Sequence, residues 1–195
     1  MSALRTLPEG YREILGIDLQ RDKKRALAVN MAALLMAAAL GIGMHFLVPI
    51  TTLAEGADSL PRALARPLVI LVSYVAYIFL HEATHGLAMR CCGSKQIRYG
   101  FTGIYAFAGS NDYYGKRAYL AIALAPVVLW GIVLGVLCVL LPRDWFWVAW
   151  IVQIGNLSGA AGDFYVFLKF LCLPRDILVQ DSGVGMKVYS ACTIL

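Results

Sequence analysis

The sequence predicts an all-α membrane protein with about four transmembrane helices and a short β-strand or hairpin element on the cytoplasmic side, between spans two and three. Of its 195 residues 60% are hydrophobic and only 15% are charged, a composition outside the range of soluble domains. Four apolar stretches are also long enough to cross roughly 30 Å of hydrocarbon. Since the chain contains neither a repeat nor a flexible linker, residues 1–195 are expected to form one domain.

The predicted spans cover about residues 26–49, 67–89, 118–141 and 145–172. Lys and Arg are concentrated before the first span, between the second and third, and after the fourth. Because positively charged loops remain on the cytoplasmic side, both termini are expected in the cytoplasm and the protein in the cell membrane. The net charge of +5 then reflects topology and attraction to membrane lipid, so nucleic acid is not an expected partner.

Two shorter segments lie outside these spans. Apolar residues at near-helical spacing in residues 4–15 predict a helix along the inner membrane interface, with a solvated tail as the alternative. In QIRYGFTGIYAFAGS, aromatic residues alternate with smaller ones from Tyr99 to Phe107, which is the period of a strand. We therefore expect one or two short β-strands within residues 97–108.

Small residues and cysteines give weaker information. GIVLG (131–135) and GNLSG (155–159) have the spacing that lets two helices approach closely, which favours packing within one bundle over a homodimer. The five cysteines form no disulfide pattern, and three of them lie on the predicted cytoplasmic side, where thiols stay reduced.

His81, Glu82 and His85 form an HExxH sequence inside the second span. Residues four apart lie on one face of a helix, so the two imidazoles are spaced to bind one zinc ion. Glu82 lies about 100° around the helix from His81, where it can accept a proton from a metal-bound water. Ionisable groups inside a span cost roughly a few kcal/mol each unless they are paired or bound to metal. A metal site is therefore favoured over histidines that only hydrogen-bond between helices.

A catalytic zinc needs a third protein ligand and one open position. Asp163 in the fourth span has a depth similar to that of His81, whereas His45 is expected near the outer membrane face. We predict Asp163 as the third ligand; the alternatives are that it orients a ligand histidine, or that Asp112 in the loop is the ligand. Two imidazoles and one carboxylate favour a single Zn²⁺, without excluding iron, manganese or cobalt.

Asn156 is a candidate catalytic residue in the same span. In one continuous helix it would share a face with Gln153 and Asp163, with Gly159 and Ala160 between them allowing a close approach to the second span. Its amide could steady a substrate carbonyl or backbone, and a hydrogen bond between helices is the equally supported alternative.

With these motifs the chain resembles intramembrane zinc metalloproteases of the site-2 protease type, which have HExxH in one span and an Asp ligand in a later one. NLSGAAGD (156–163) takes that later place, without the usual proline. The chain is more similar to a family of small bacterial membrane proteins called putative zincin peptidases, through LPEGYREILGIDLQ, HEATHG, YLAIALAP, GNLSGAAGD and PRDILVQDSGVGMKVY. That resemblance implies His81, His85 and Asp163 as metal ligands and Glu82 as the catalytic acid and base.

The leading hypothesis is a zinc-dependent hydrolase, a peptidase that cleaves membrane protein or peptide substrates in or at the membrane through a metal-activated water. Site-2 proteases bind an extended substrate beside a β-strand, so the resemblance implies that residues 97–108 do the same. The alternative is a proteolytically inactive, zinc-binding membrane scaffold or chaperone-like protein, against which the presence of Glu82 argues. Three histidines are too few for a diiron hydroxylase, and a transporter would need a second buried carboxylate.

Overall fold

The computed structural model describes residues 3–103 and 105–191. It contains five α-helices and six strands in these ranges. In chain order they are β1 (Arg12–Ile17), α1 (Lys23–Leu47), α2 (Leu60–Cys91), β2 (Arg98–Phe101), β3 (Ala106–Gly109), β4 (Tyr113–Gly115), α3 (Lys116–Leu140), α4 (Phe146–Gly159), α5 (Ala161–Leu171), β5 (Leu178–Asp181) and β6 (Met186–Ser190).

Three of the helices, α1, α2 and α3, are long and apolar enough to cross a membrane, which supports the membrane protein expected from composition. The stretch predicted as a fourth span is divided. Helix α4 ends at Gly159, the backbone leaves the helical region at Ala160 (φ −81°, ψ 14°), and α5 starts at Ala161. The expectation of one continuous helix there is wrong, because the flanking glycines disfavour an uninterrupted helix. A fourth membrane crossing by this region stays a prediction.

One compact unit, formed by the described residues within 1–28, 82–125 and 163–195, contains all six strands of the described ranges. Its main sheet is four-stranded and antiparallel in the order β1-β6-β5-β4. Strand residues pack with residues from the ends of α2 and α3 and from α5 in one core, which includes Met89, Tyr119, Phe170, Val179 and Val188. Burial of each large apolar side chain stabilises such a core by about 1.5–3 kcal/mol.

This sheet corrects the all-α class predicted from the sequence. Residues 12–17 are strand β1, so both the interfacial helix and the solvated tail expected for the N-terminal segment are wrong for these residues. Strand β1 pairs with β6 from the other end of the chain, with Arg12 opposite Ser190. Local periodicity misses such a strand, because its stability comes from partners remote in sequence.

The strands expected within residues 97–108 are present as an antiparallel hairpin. Strand β2 pairs with β3, with Tyr99 opposite Ala108 and Gly100 opposite Phe107, and the two form a separate two-stranded sheet. Strand β3 extends one residue further than expected, to Gly109. The cytoplasmic location of this hairpin stays a prediction.

The second compact unit, residues 29–81 and 126–162, is helical. Gly155 of α4 lies directly against the ring of Tyr74 in α2, where a Cβ atom would overlap the ring. The small residue thus lets these two helices approach closely, as the glycine spacing predicts. At one end of this unit, the indole Nε1 of Trp147 donates to the carbonyls of Val48 (3.1 Å) and Pro49 (3.3 Å).

Candidate metal centre

Helix α2 holds the HExxH sequence in its last third and runs without interruption to Cys91. The predicted spacing of one turn between His81 and His85 therefore exists in the structure. The division between the two compact units falls between His81 and Glu82, adjacent residues of this one helix. Glu82 is partly buried, as are both histidines.

Asp163 lies in the first turn of α5, directly after the helix break. Its Oδ1 is 3.5 Å from Nε2 of His85, and the two side chains are only 21% and 12% exposed. One ligand atom each from His81, His85 and Asp163 lies within 4.8 Å of the others. Ligand atoms bound about 2.0–2.2 Å from one tetrahedral zinc ion are roughly 3.4 Å apart, so the distance between His85 and Asp163 has the size that such an ion requires.

The ring of His81 is oriented by Tyr77, one turn earlier on α2. The Tyr77 hydroxyl donates its proton to Oδ1 of Asn156 at 2.7 Å and lies 2.8 Å from Nδ1 of His81. With its only proton on Asn156, the hydroxyl accepts from Nδ1–H of His81. Nε2 of His81 then carries the lone pair, which is the tautomer that a metal bound at Nε2 needs.

The ring of His85 is oriented by a backbone carbonyl. Its Nδ1 is 3.0 Å from the carbonyl oxygen of Ile122 in α3, and because a carbonyl can only accept, the histidine donates. That carbonyl would normally accept the amide N–H of residue 126, four residues later, but Pro126 lies inside the helix and has no N–H. Pro126 thus leaves the Ile122 carbonyl available, and with Nδ1–H as the donor, Nε2 is the atom of His85, as of His81, that can bind a metal.

Asn156 is fully buried, and its polar atoms contact other parts of the protein. Its Nδ2 donates to the carbonyl of Val127 and to Oε1 of Gln153, both at 3.3 Å, while Oδ1 accepts from Tyr77. This arrangement matches the interhelical hydrogen bond that the sequence left open as the alternative. The substrate contact expected of Asn156 stays a prediction that these contacts do not favour.

Two other residues considered from the sequence lie elsewhere. Asp112 accepts a hydrogen bond from the Ser94 hydroxyl (2.7 Å) in the turn before β4. His45, in the last turn of α1, accepts the amide N–H of Ile50 through Nδ1 (3.0 Å). Within residues 3–103 and 105–191, His81, His85 and Asp163 are the one group of three or more such side chains close enough to share a metal ion.

The hairpin contacts α2 beside the motif. The hydroxyl of Tyr99 in β2 lies against Gly86, the residue after His85, where a Cβ atom would overlap it. The sequence signal for this contact is the glycine that follows the second histidine of HEATHG. Neither Gly86 nor Tyr77 was singled out from the sequence.

A second carboxylate, Asp181 in β5, is buried in the sheet-bearing unit and was missed by the sequence reasoning. It accepts from the Tyr119 hydroxyl (2.5 Å) and from the amide of Gly183 (2.8 Å). Burial raises the pKa of Asp181 above its ordinary range, although both hydrogen bonds act in the opposite direction. Its oxygens are therefore used inside the protein and are not part of the group around His85.

Comparison with known proteins places the chain in a family. A family model described as "Putative zincin peptidase" matches residues 74–178. A protein of Pyrococcus woesei, "Uncharacterized 24.7 kDa protein in gap 5'region", is 26% identical over 136 residues, which is 66% of this chain and 59% of that protein. The alignment thus spans less than two thirds of the relative's length, and no solved structure shows significant similarity. Since the family model covers more than half of the chain, including HExxH and Asp163, the protein belongs to the family described as putative zincin peptidases.

Proposed function

We propose that this protein is a zinc-dependent peptidase of the cell membrane, with one Zn²⁺ held by His81, His85 and Asp163. The observation that carries the proposal is the convergence of the three ligand atoms within 4.8 Å. It is supported by the separate Nδ1 partners of the two histidines, Tyr77 and the Ile122 carbonyl. Two imidazoles, one carboxylate and a position left for water form the donor set of catalytic zinc sites.

Each side chain then has a defined role. A zinc ion at this position would supply a Lewis acid and lower the pKa of a water molecule toward about 7. Glu82 accepts the proton of the attacking water and returns it to the leaving amide nitrogen. Tyr77 and Asn156 act as positioning residues, because they hold the ring of His81 and do not touch the reacting atoms.

The proposed substrate is an extended segment of a membrane protein or membrane-associated peptide. Strand β2 pairs only with β3 among the described strands, so its other edge can accept a substrate strand by backbone hydrogen bonds. The hairpin contacts α2 at Gly86, next to His85. Tyr99 and Phe101 are 54% and 68% exposed and offer apolar area to a substrate within the membrane or at its surface.

We further propose that both termini lie in the cytoplasm. The support is the distribution of Lys and Arg, which favours the parts of the chain before α1, between α2 and α3, and after α5. The sheet-bearing unit contains the described residues before α1 and after α5, so it would lie at the cytoplasmic face.

The test is a parallel measurement of zinc content and of cleavage of a transmembrane reporter by the purified protein. Glu82→Gln should keep wild-type zinc and lose cleavage. Asp163→Ala should lose zinc and cleavage, whereas Asp112→Ala, a matched removal of a partly buried carboxylate, should keep both. Full zinc binding by Asp163→Ala would refute the ligand set. Wild-type protein that binds zinc but cleaves nothing would favour an inactive zinc-binding scaffold.

A further inference from the structure

A cavity of about 800 Å³ lies in the sheet-bearing unit, away from the HExxH residues. Its lining includes the basic residues Lys116 and Arg117 at the start of α3 and Arg175 after α5, together with apolar residues such as Leu120 and Ile177. The volume is within the range of about 300–1,000 Å³ that is typical of ligand pockets. The cavity is therefore large enough for a ligand and has a basic part and an apolar part.

The charge of this cavity is unbalanced. Its one carboxylate, Asp176, already accepts from the Ser190 hydroxyl (2.8 Å) and from the amide of Ala191 (3.2 Å). Lys116 donates to two carbonyls at the C-terminal end of α5, that of Leu171 (3.0 Å), its last residue, and that of Leu173 (2.5 Å). Arg117 and Arg175 are exposed, and neither forms an ion pair with a residue that the structure describes. Two guanidinium groups therefore remain for an anion.

The basic residues of the cavity lie at the start of a helix that is a candidate membrane span. Lys116 and Arg117 are the first two residues of α3, a helix apolar enough to cross a membrane. With α3 across a membrane, the basic part of the cavity would lie where an apolar helix meets water, which is the level of the lipid phosphates. Leu120, one turn further into the helix, would then lie at the level of the glycerol and the first methylene groups.

We propose that this cavity binds the headgroup of an anionic phospholipid, with Arg117 and Arg175 donating to the phosphate. Guanidinium groups bind phosphate with two parallel N–H donors, which gives geometric selectivity as well as attraction. Free phosphate has the same charge chemistry. The lipid is the favoured source, because the apolar part of the lining and the level of the helix end suit an attached glycerol and acyl chain.

The experiment uses the full chain in detergent, with lipid binding measured by native mass spectrometry. The probes are phosphatidylglycerol, phosphatidylcholine and inorganic phosphate. The test variant is the double substitution Arg117→Gln and Arg175→Gln. The matched control is Arg90→Gln with Lys169→Gln, which removes two exposed cations from the last turns of α2 and α5 without changing the cavity lining.

We expect wild-type protein to bind phosphatidylglycerol more tightly than phosphatidylcholine. The test variant should lose about 25-fold in affinity for phosphatidylglycerol, from roughly a fivefold loss for each basic residue, while the control loses little. Equal losses in both double variants would overturn the proposal in favour of diffuse attraction. Equal binding of the two lipids by the wild type would also overturn it, as would displacement of the lipid by millimolar phosphate. The result does not depend on peptidase activity or zinc.

Discussion

Pro126 is predicted to position His85 without contacting it. In an uninterrupted helix, the amide N–H of residue 126 would donate to the carbonyl of residue 122, and proline removes that donor. In this protein the Ile122 carbonyl accepts instead from Nδ1 of His85, at 3.0 Å. The substitution Pro126→Ala supplies a backbone N–H that competes with the histidine for this carbonyl oxygen.

The expected magnitude follows from these contacts. Loss of the hydrogen-bond partner of a metal-binding histidine typically weakens metal affinity by about 10–100-fold. A carbonyl oxygen has two lone pairs and can share them, so we expect the lower end, about tenfold weaker zinc binding. Alanine also replaces a proline inside a helix, a change worth up to about 3 kcal/mol in helix propensity. The unfolding temperature should therefore stay equal or rise while zinc affinity falls.

The assay is a competition titration against a zinc chelator in detergent, combined with thermal unfolding of the zinc-free protein. Pro67→Ala is the matched control, because Pro67 also lies inside a predicted membrane helix but the carbonyl four residues before it does not contact a histidine. We expect this control to keep wild-type zinc affinity. If Pro126→Ala binds zinc as tightly as the wild type, Pro126 does not position His85 in the way proposed.

Three further predictions concern other contacts. Tyr77→Phe removes the acceptor for Nδ1–H of His81 and should weaken zinc binding by about 10–100-fold in the same titration; unchanged affinity would contradict it. Gly109→Ala places a Cβ atom against the backbone of the turn after β5 and should lower the free energy of unfolding by about 1–3 kcal/mol. Gly16→Ala, in strand β1, should not, because a Cβ atom there would meet only the Glu13 carboxylate at an ordinary contact distance of 3.5 Å. Burial raises the pKa of Asp181 in the folded protein, so the folded protein binds this proton more tightly than the unfolded chain does. Proton binding by Asp181 therefore stabilises the fold fully below the unfolded pKa of about 3.9, and this contribution is lost as pH rises through the folded pKa. The free energy of unfolding, measured by denaturation across that pH range, should fall less for Asp181→Asn than for the wild type as pH rises. Parallel curves of this free energy against pH would contradict the raised pKa of Asp181.

Features set by local pattern could be predicted from the sequence. The long apolar runs indicated α1, α2 and α3, and the alternation of aromatic residues near Tyr99 indicated the β2–β3 hairpin. The HExxH spacing needed only helix geometry, since residues four apart share a face wherever the helix lies. Similar depth in the membrane pointed to Asp163, and the structure brings its carboxylate near His85.

Features that depend on residues far apart in the chain could not be predicted in this way. Strand β1 forms because it pairs with β6, whose residues come more than 160 positions later, and no local periodicity encodes that partner. The helix break at Ala160 was also missed, since apolar composition is equally compatible with one long helix. The break explains why Asp163 lies in the first turn of its own helix.

The sequence by itself determined that this is a membrane protein with an HExxH helix, because hydropathy and helical spacing are local properties. Only the tertiary structure decided how each histidine is oriented. The acceptors for the two Nδ1 atoms are Tyr77, whose proton goes to Asn156, and the Ile122 carbonyl. Both acceptors depend on contacts made when separate helices pack, and a hydrogen bond requires its atoms to lie within about 3 Å of each other. Spacing along one helix fixes which residues share a face but not which atoms meet them.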